Sequence, residues 1–232
     1  NIPFLLMVVA AVALGCVVWQ ASAAQLPLKV ESVAVFASDV TVDVPLVYDQ
    51  FEGLAGQGLN GAPAPGGGVW QADPAWVFQG GSAVRVGNNS GNSIAVVNLG
   101  KSDHLILETK IHNAGQHPTS NGVGIMLFNN GAGRGFAALY DPRDNQARID
   151  LITNNTQTRA SQGGVGSSQT VVVRVVVDKP TITMFVDGVE VLSYDMTPTE
   201  LADWGSNTRF GMIAIKDKDA QFDYFWVSHL DG

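Results

Sequence analysis

The chain has 232 residues, 46% of them hydrophobic, and a formal net charge of −8 from 21 acidic and 13 basic residues. This length suits one sizeable domain with an appendage, and the acidic charge argues against binding to nucleic acid or anionic lipid, since both attract clustered lysine and arginine. The single cysteine excludes an intrachain disulfide and a cysteine-based zinc site.

The N-terminal segment is apolar and carries no charge before Lys29. As an α-helix, residues 2–19 would rise roughly 27 Å, close to the ~30 Å hydrocarbon core of a bilayer. We therefore expect residues 1–24 to form an uncleaved transmembrane anchor. Its predicted lipid-facing and interfacial residues are Ile2, Phe4, Leu5, Leu6, Val9 and Trp19. The small residues Ala10, Ala13 and Gly15 would allow close contact with partner helices.

Two processing signals offer alternatives to this anchor. The "ASA" at 21–23 resembles a signal-peptidase site. The "LGC" at 14–16 resembles a lipid-attachment site at Cys16, although alanine stands three positions before the cysteine where leucine is usual. The anchor remains the favoured interpretation, with residues 25–45 as an extended stalk or extra strand. The rest of the chain is then expected on the periplasmic or extracellular side of the membrane.

Beyond residue 28 the sequence changes to short β-rich runs separated by Gly, Asn, Asp and Ser. Many of these runs alternate between apolar and polar residues, as half-buried strands do. Strands are predicted at 29–36, 40–44, 46–51, 76–78, 83–86, 93–99, 105–112, 122–129, 135–140, 147–153, 170–178, 181–186, 189–195, 209–216 and 221–229. This spacing indicates an all-β sandwich or barrel over residues 46–232.

Two local motifs predict a particular turn and a short helix. In "TITMFVDGVEVLSYD", Asp187 and Gly188 form the two-residue turn that favours a type I′ hairpin. In "TPTELADWG", Thr197 or Thr199 is suited to cap one short helical turn that ends at Gly205.

The order of several motifs resembles the concanavalin A-like jelly roll, a laminin-G-like and lectin-like sandwich. These motifs are "YDQFEG" at 48–53, "GVGIMLFNN" at 122–130, "DGVEV" at 187–191, and the closing pair "FGMIAI" and "AQFDYFWV" at 210–227. The resemblance covers about residues 46–230 and implies fold, not catalysis. Some members of this superfamily are glycoside hydrolases, and laminin-G-like domains often carry a structural calcium.

A hydrolase of this fold needs two carboxylates on one face of a strand, at alternate positions. No such run of acidic residues occurs in the sequence. We therefore predict a protein that is not an enzyme and that needs no cofactor, apart from the optional calcium.

Glycan binding would use exposed aromatic side chains together with asparagine amides. The candidate aromatic residues are Trp70, Trp76, Trp204 and Tyr140, with Tyr194 as a further one. Asn129 and Asn130 are the candidates for hydrogen bonds to the glycan. The competing interpretation, which we favour, is that these aromatics fill the core. The oxygen ligands for calcium would be Asp49, Glu52 and Asp223, against the alternative that they are ordinary surface carboxylates.

Three functions remain open at this point, and the first of them is the favoured interpretation. The first is a single-pass membrane subunit that packs against other membrane proteins or its own copies, such as an accessory subunit of a photosynthetic or respiratory complex. The second is a membrane-tethered carbohydrate-binding module, and the third is a glycosidase-like enzyme. Exposed aromatics in a groove favour the second, and two carboxylates about 5–9 Å apart would favour the third.

Overall fold

The computed structural model describes residues 45–87 and 91–230, together with the backbone of two short strands nearer the N-terminus. The chain divides into two compact units, Asn1–Val42 and Asp43–Gly232. In the first unit, β1 (Val9–Ala11) and β2 (Cys16–Val18) pair antiparallel. Both lie inside the span predicted as a helix.

The remainder of the predicted anchor over 1–24, and almost all of the stalk over 25–45, lie outside the described residues. The anchor, its partner contacts and the location of the body outside the cytoplasm therefore stay predictions. No helix in the described part of the chain is long and apolar enough to cross a membrane.

The second unit is a β-sandwich of two antiparallel sheets, which confirms the predicted all-β class. In order from one edge, the seven-stranded sheet comprises β12 (Thr156–Gly163), β11 (Gln146–Ile152), β10 (Gly135–Asp141), β9 (Val123–Asn129), β16 (Arg209–Ile215), β7 (Asn92–Asn98) and β4 (Gln71–Ala72). The eight-stranded sheet comprises β15 (Val189–Asp195), β14 (Thr181–Val186), β13 (Val171–Asp178), β8 (Leu105–His112), β17 (Gln221–His229), β6 (Ala83–Arg85) and β5 (Trp76–Phe78), and β3 (Val47–Asp49) pairs with β17 beside β6.

The core lies between the sheets because alternate residues of each strand turn inward. In β13, Val173, Val175 and Val177 are fully buried, whereas Arg174 between them is exposed on the outer face. A second, smaller cluster of buried apolar residues lies on the outer face of the seven-stranded sheet and includes Ile213.

The β14–β15 hairpin turns where the sequence predicts. Asp187 and Gly188 have φ values of 48° and 82°, the positive values that a type I′ turn requires at both central positions. Asp187 also accepts a 2.8 Å hydrogen bond from the amide of Val172, which ties the turn to the neighbouring strand.

The predicted helical turn is α1 (Pro198–Trp204), with Thr197 as its N-cap and Gly205 at its C-terminal end. Thr197 Oγ1 accepts from the amide of Glu200 at 3.2 Å, and Glu200 Oε2 accepts from the amide of Thr197 at 2.9 Å, which forms a capping box. Burial acts to raise the pKa of Glu200, but hydrogen bonds from Tyr194 and Thr197 and the charge of Arg159 outweigh it, so this pKa lies below its ordinary value.

Two strands of the sandwich are absent from the sequence-based prediction. β12, with the polar sequence "TQTRASQG", is an edge strand that is mostly exposed, so it lacks apolar alternation. β4 contains only two residues. The strands predicted at 29–36 and 40–44 lie outside the described residues.

We expect Thr197→Ala to lower the free energy of unfolding by about 1 kcal/mol, because it removes the side-chain acceptor of the capping box. Urea denaturation at neutral pH measures this change. Thr199→Ala is the matched control, since Thr199 is exposed in the same first turn. Equal effects of the two substitutions would contradict the role assigned to Thr197.

Candidate functional site

A polar groove of about 340 Å³ opens beside the short edge strand β4 of the seven-stranded sheet. Its floor includes the apolar side chains of Ile94 and Val96, which point away from the sandwich core. Its remaining lining residues are mostly polar or lack a side chain, and they are Asn60, Gln71, Ala72, Asp73, Asn92, Asn129, Gly131 and Gly133. The groove thus combines an apolar floor with a wall of amides and one carboxylate.

Side-chain hydrogen bonds hold the β4 side of the groove in place. Asp73 Oδ2 accepts from the amide of Ile94 at 2.7 Å, and the amide of Asp73 donates to the carbonyl of Ile94 at 2.9 Å. These contacts continue the β4–β7 ladder by one residue. Asn60 Oδ1, from the long loop before β4, accepts from the amide of Ala72 at 3.1 Å. Asp73 and Asn60 therefore both line the groove and fasten its edge.

The opposite side of the groove is the loop between β9 and β10. Asn129 Oδ1 accepts from the amide of Gly131 at 2.8 Å, and Asn130 Oδ1 accepts from the amide of Ala132 at 2.9 Å. Gly131 and Gly133 have φ values of 83° and 73°, which side chains other than glycine rarely adopt. This tight loop brings backbone close to the groove without filling it.

Asn129 is the residue that distinguishes this groove. The residue is only 1% exposed, and its Nδ2 group has no hydrogen-bond partner among the described residues. A buried amide normally satisfies its donors, and leaving one unpaired costs about 1–3 kcal/mol. Asn129 lines the groove, so an unpartnered donor lies in its wall.

The aromatic residues proposed from the sequence lie elsewhere. Trp70 and Trp76 are fully buried in the core, and Tyr140 is 1% exposed and donates to the carbonyl of Ser168 at 2.9 Å. Trp204 is half-buried on α1 and packs against the core. Trp70, Trp76 and Tyr140 thus match the core-filling alternative, and none of the four lines the groove.

Tyr194 is also half-buried against the core. Its hydroxyl donates to Glu200 at 2.6 Å, and burial together with this carboxylate raises the pKa of Tyr194 to about 12. Asn130 lies on the β9–β10 loop but not in the groove lining, so of the polar candidates only Asn129 is part of it.

The carboxylates proposed for calcium do not converge. Asp49 is 5% exposed, and its two oxygens accept from Trp70 Nε1 at 2.7 Å and from the amide of Phe51 at 2.8 Å. Asp223 instead pairs with His112 at 2.7 Å, and Glu52 is exposed.

In residues 45–87 and 91–230, no group of three or more His, Cys, Asp or Glu side chains is arranged to hold a metal ion. The three carboxylates predicted for calcium, as the structure places them, do not form one metal site.

Another buried carboxylate, Asp217, lies in the loop after β16 and is fully buried. Its Oδ2 accepts from the amide of Gly115 at 2.7 Å. Burial raises the pKa of Asp217, and the negative charge of Asp141 adds to this, against hydrogen bonds that favour the ionised form. Asp141 in turn lies 3.7 Å from Arg148 Nη1.

Of the residues that line the groove, the sequence predicts only Asn129 as a binding residue. Asn60, Asp73 and Asn92 come from two loops and a strand end, separated by up to 32 positions in the sequence. No spacing rule joins such residues before the sheet is assembled. The sequence signal for this groove is the "NN" at 129–130 before a glycine-rich loop. On the sequence alone, these asparagines are predicted only to hydrogen-bond a glycan that packs on aromatic residues.

Solved structures similar to this chain are β-sandwich domains or contain one. The carbohydrate-binding module CBM66 from Bacillus subtilis is 14% identical, with a TM-score of 0.55 and 68% of this chain and 94% of that one covered. A laminarinase from Flavobacterium sp. UMI-01 is 12% identical, with a TM-score of 0.52 and coverages of 80% and 100%. The carbohydrate recognition domain of Emp46p, in its metal-free form, is 12% identical, with a TM-score of 0.50 and coverages of 68% and 87%.

No protein-family model matches the chain, and no curated protein sequence does. At identities this low, the likeness to solved structures shows the fold alone. The neighbours agree with the concanavalin A-like sandwich that the motifs indicate.

We expect Asp217→Asn to stabilise the protein more at pH 7 than at pH 3. An acid whose pKa is raised by folding contributes stability below its unfolded pKa and loses it as the pH rises through the folded pKa. Asparagine removes the buried charge and keeps an acceptor for the amide of Gly115. Thermal melts across this pH range measure the difference.

Asp219→Asn is the control for this pH dependence, because Asp219 lies in the same loop and is exposed. A difference between Asp217→Asn and the unmodified protein that stays constant from pH 3 to pH 7 would contradict the raised pKa.

Proposed function

We propose that the sandwich is a non-catalytic carbohydrate-binding domain and that its ligand occupies the groove beside β4. The observation that carries this proposal is the buried, unpartnered Nδ2 group of Asn129, which lines the groove. A hydroxyl or ring oxygen of a sugar accepts such a hydrogen bond and removes the cost of leaving the donor unpaired.

The other groups of the groove suit a sugar as well. The Asp73 carboxylate accepts hydrogen bonds, and the exposed amides of Asn60, Gln71 and Asn92 both donate and accept. Sugar hydroxyls need both kinds of partner at once. Ile94 and Val96 provide an apolar floor for the C–H groups of a sugar ring. A volume of about 340 Å³ is in the range of small-molecule sites.

The composition of the groove supports binding without hydrolysis. Glycosidases use two carboxyl groups on either side of the scissile bond. In the described part of the chain, Asp73 is the sole carboxylate that lines the groove. The proposed activity is therefore recognition of a glycan, with no bond broken.

The fold neighbours support this proposal over a role as a membrane-complex subunit. Two of the three described above are named as a carbohydrate-binding module and a carbohydrate recognition domain. The subunit hypothesis rests on the N-terminal segment, most of which lies outside the described residues, and it stays a prediction. The same holds for a membrane tether on the binding domain.

Asn129→Asp tests the proposal. The substitution keeps Oδ1 as an acceptor for Gly131 but removes the Nδ2 donor and adds a charge. The full-length protein is first run through native gels that contain neutral polysaccharides, including β-1,3-glucan, xylan and mannan. The dissociation constant of a matching oligosaccharide is then measured by calorimetry. We expect it to rise at least about tenfold in the variant, the equivalent of one lost hydrogen bond of ~1.4 kcal/mol.

Asn130→Asp is the matched control, since it makes the same chemical change one residue away, on an exposed side chain outside the groove. It should bind like the unmodified protein. Thermal melts show whether either variant is unfolded. A folded Asn129→Asp variant that binds every polysaccharide as tightly as the unmodified protein would overturn the proposal. So would native gels in which none of the polysaccharides slows the migration of the unmodified protein.

A further inference from the structure

The outer face of the eight-stranded sheet carries a row of large side chains on directly opposed residues of neighbouring strands. Tyr48 of β3 lies opposite Trp226 of β17, and Trp226 lies opposite Glu108 of β8. Glu108 in turn lies opposite Arg174 of β13, and Arg174 opposite Phe185 of β14. Neighbouring strands are ~4.8 Å apart, so these side chains form a continuous line across five strands.

A cavity of about 360 Å³ opens along this row and is lined by Tyr48, Glu108, Arg174, Tyr224 and Trp226. Tyr48 is 43% exposed, and Trp226 and Tyr224 are half-buried. The rings of Tyr48 and Tyr224 have centroids 6.5 Å apart and are inclined by 58°. Aromatic surface therefore borders the cavity from more than one direction.

The polar groups of the cavity are already arranged. Arg174 Nη2 and Nε lie 2.6 Å and 2.7 Å from Glu108 Oε2, and the hydroxyl of Tyr224 donates to Glu108 Oε1 at 2.7 Å. Each carboxylate oxygen has a partner, and the charges of Glu108 and Arg174 cancel. The guanidinium keeps further N–H groups, on Nη1, that these contacts do not use.

These features discriminate between classes of ligand. A cage of three aromatic rings beside a carboxylate suits a quaternary ammonium ion, but here Arg174 neutralises that carboxylate and adds a positive charge next to it. An anion would have to compete with Glu108 for Arg174, on a protein with a net charge of −8. An uncharged ligand with ring faces and hydroxyl groups meets neither obstacle.

We infer that this cavity is a second ligand site, distinct from the groove beside β4, which binds an uncharged glycan whose ring packs on Trp226 and Tyr48 while its hydroxyls bond to Arg174 and Glu108. Burial and the hydrogen bond to Glu108 raise the pKa of Tyr224, so its hydroxyl remains a neutral donor at physiological pH. The two sites lie on opposite sheets of the sandwich, so one domain is able to hold two segments of polysaccharide.

Trp226→Ala and Tyr48→Ala test this site in the full-length protein. Both remove aromatic surface from the cavity, and Tyr48 is exposed on a short strand, so its loss is the milder change for folding. We expect each variant to bind about tenfold more weakly to the neutral polysaccharide that slows the unmodified protein in native gels. A change of this size is consistent with the contribution of one aromatic contact. Leu54→Ala is the control, because Leu54 is 79% exposed and lies outside the cavity.

Calorimetric stoichiometry with a short neutral oligosaccharide separates the two sites. We expect two sites per chain for the unmodified protein. Trp226→Ala should weaken one of them about tenfold and leave the other unchanged, and Asn129→Asp should do the reverse. A loss of binding only on Trp226→Ala would support the cavity and remove the groove from the account. A loss only on Asn129→Asp, with Tyr48→Ala and Trp226→Ala folded and unchanged, would overturn the cavity.

Two further outcomes would also overturn this second site. One is tighter binding of choline than of any neutral glycan, with the same dependence on Trp226, which would assign the cavity to cations. The other is a self-associated protein that becomes monomeric in Tyr48→Ala by light scattering, which would assign this face to a second copy of the chain.

Discussion

The structure depends on the alternation of side chains along each strand, because a residue that fills the core is thereby withdrawn from any ligand. In β13, Val173 and Val175 seal the core, and Arg174 between them faces outward to meet Glu108. With two sheets there are two outer faces, and both candidate binding sites lie on them. The packed interior supplies the rigidity that keeps a binding surface in place before a ligand arrives.

The two sites obtain their polar groups in different ways. In the groove beside β4, the Asn129 and Asp73 side chains each accept a hydrogen bond from a backbone amide through one oxygen. Asn129 lines the groove and keeps an Nδ2 group that has no hydrogen-bond partner among the described residues. In the cavity beside Trp226, Glu108 and Arg174 orient one another across neighbouring strands. In both cases a hydrogen bond within the protein holds the side chain in one rotamer before a ligand arrives. Less conformational entropy is therefore lost when the ligand binds.

Most of the strands and the short helix follow from the sequence because each is marked locally, by apolar alternation or by turn and cap residues. The binding surfaces do not follow, because they depend on register. β17 has a bulge between Phe222 and Tyr224, which changes the side to which the next residues point. A strict period of two counted from Phe222 would bury Tyr224 and Trp226, whereas both face outward. The presence of tryptophan in the sequence does not by itself predict a binding surface, because Trp70 and Trp76 are core residues.

The most direct test of glycan recognition in the groove is an NMR titration that follows the side-chain amide of Asn129, identified by its absence from the spectrum of Asn129→Asp. With saturating neutral oligosaccharide, the account predicts that the Asn129 Nδ2 proton signals shift and that their exchange with water slows. The contradicting result is that the Asn129 signals stay unchanged while resonances elsewhere in the sandwich respond to the sugar. The groove beside β4 would then not be the glycan site.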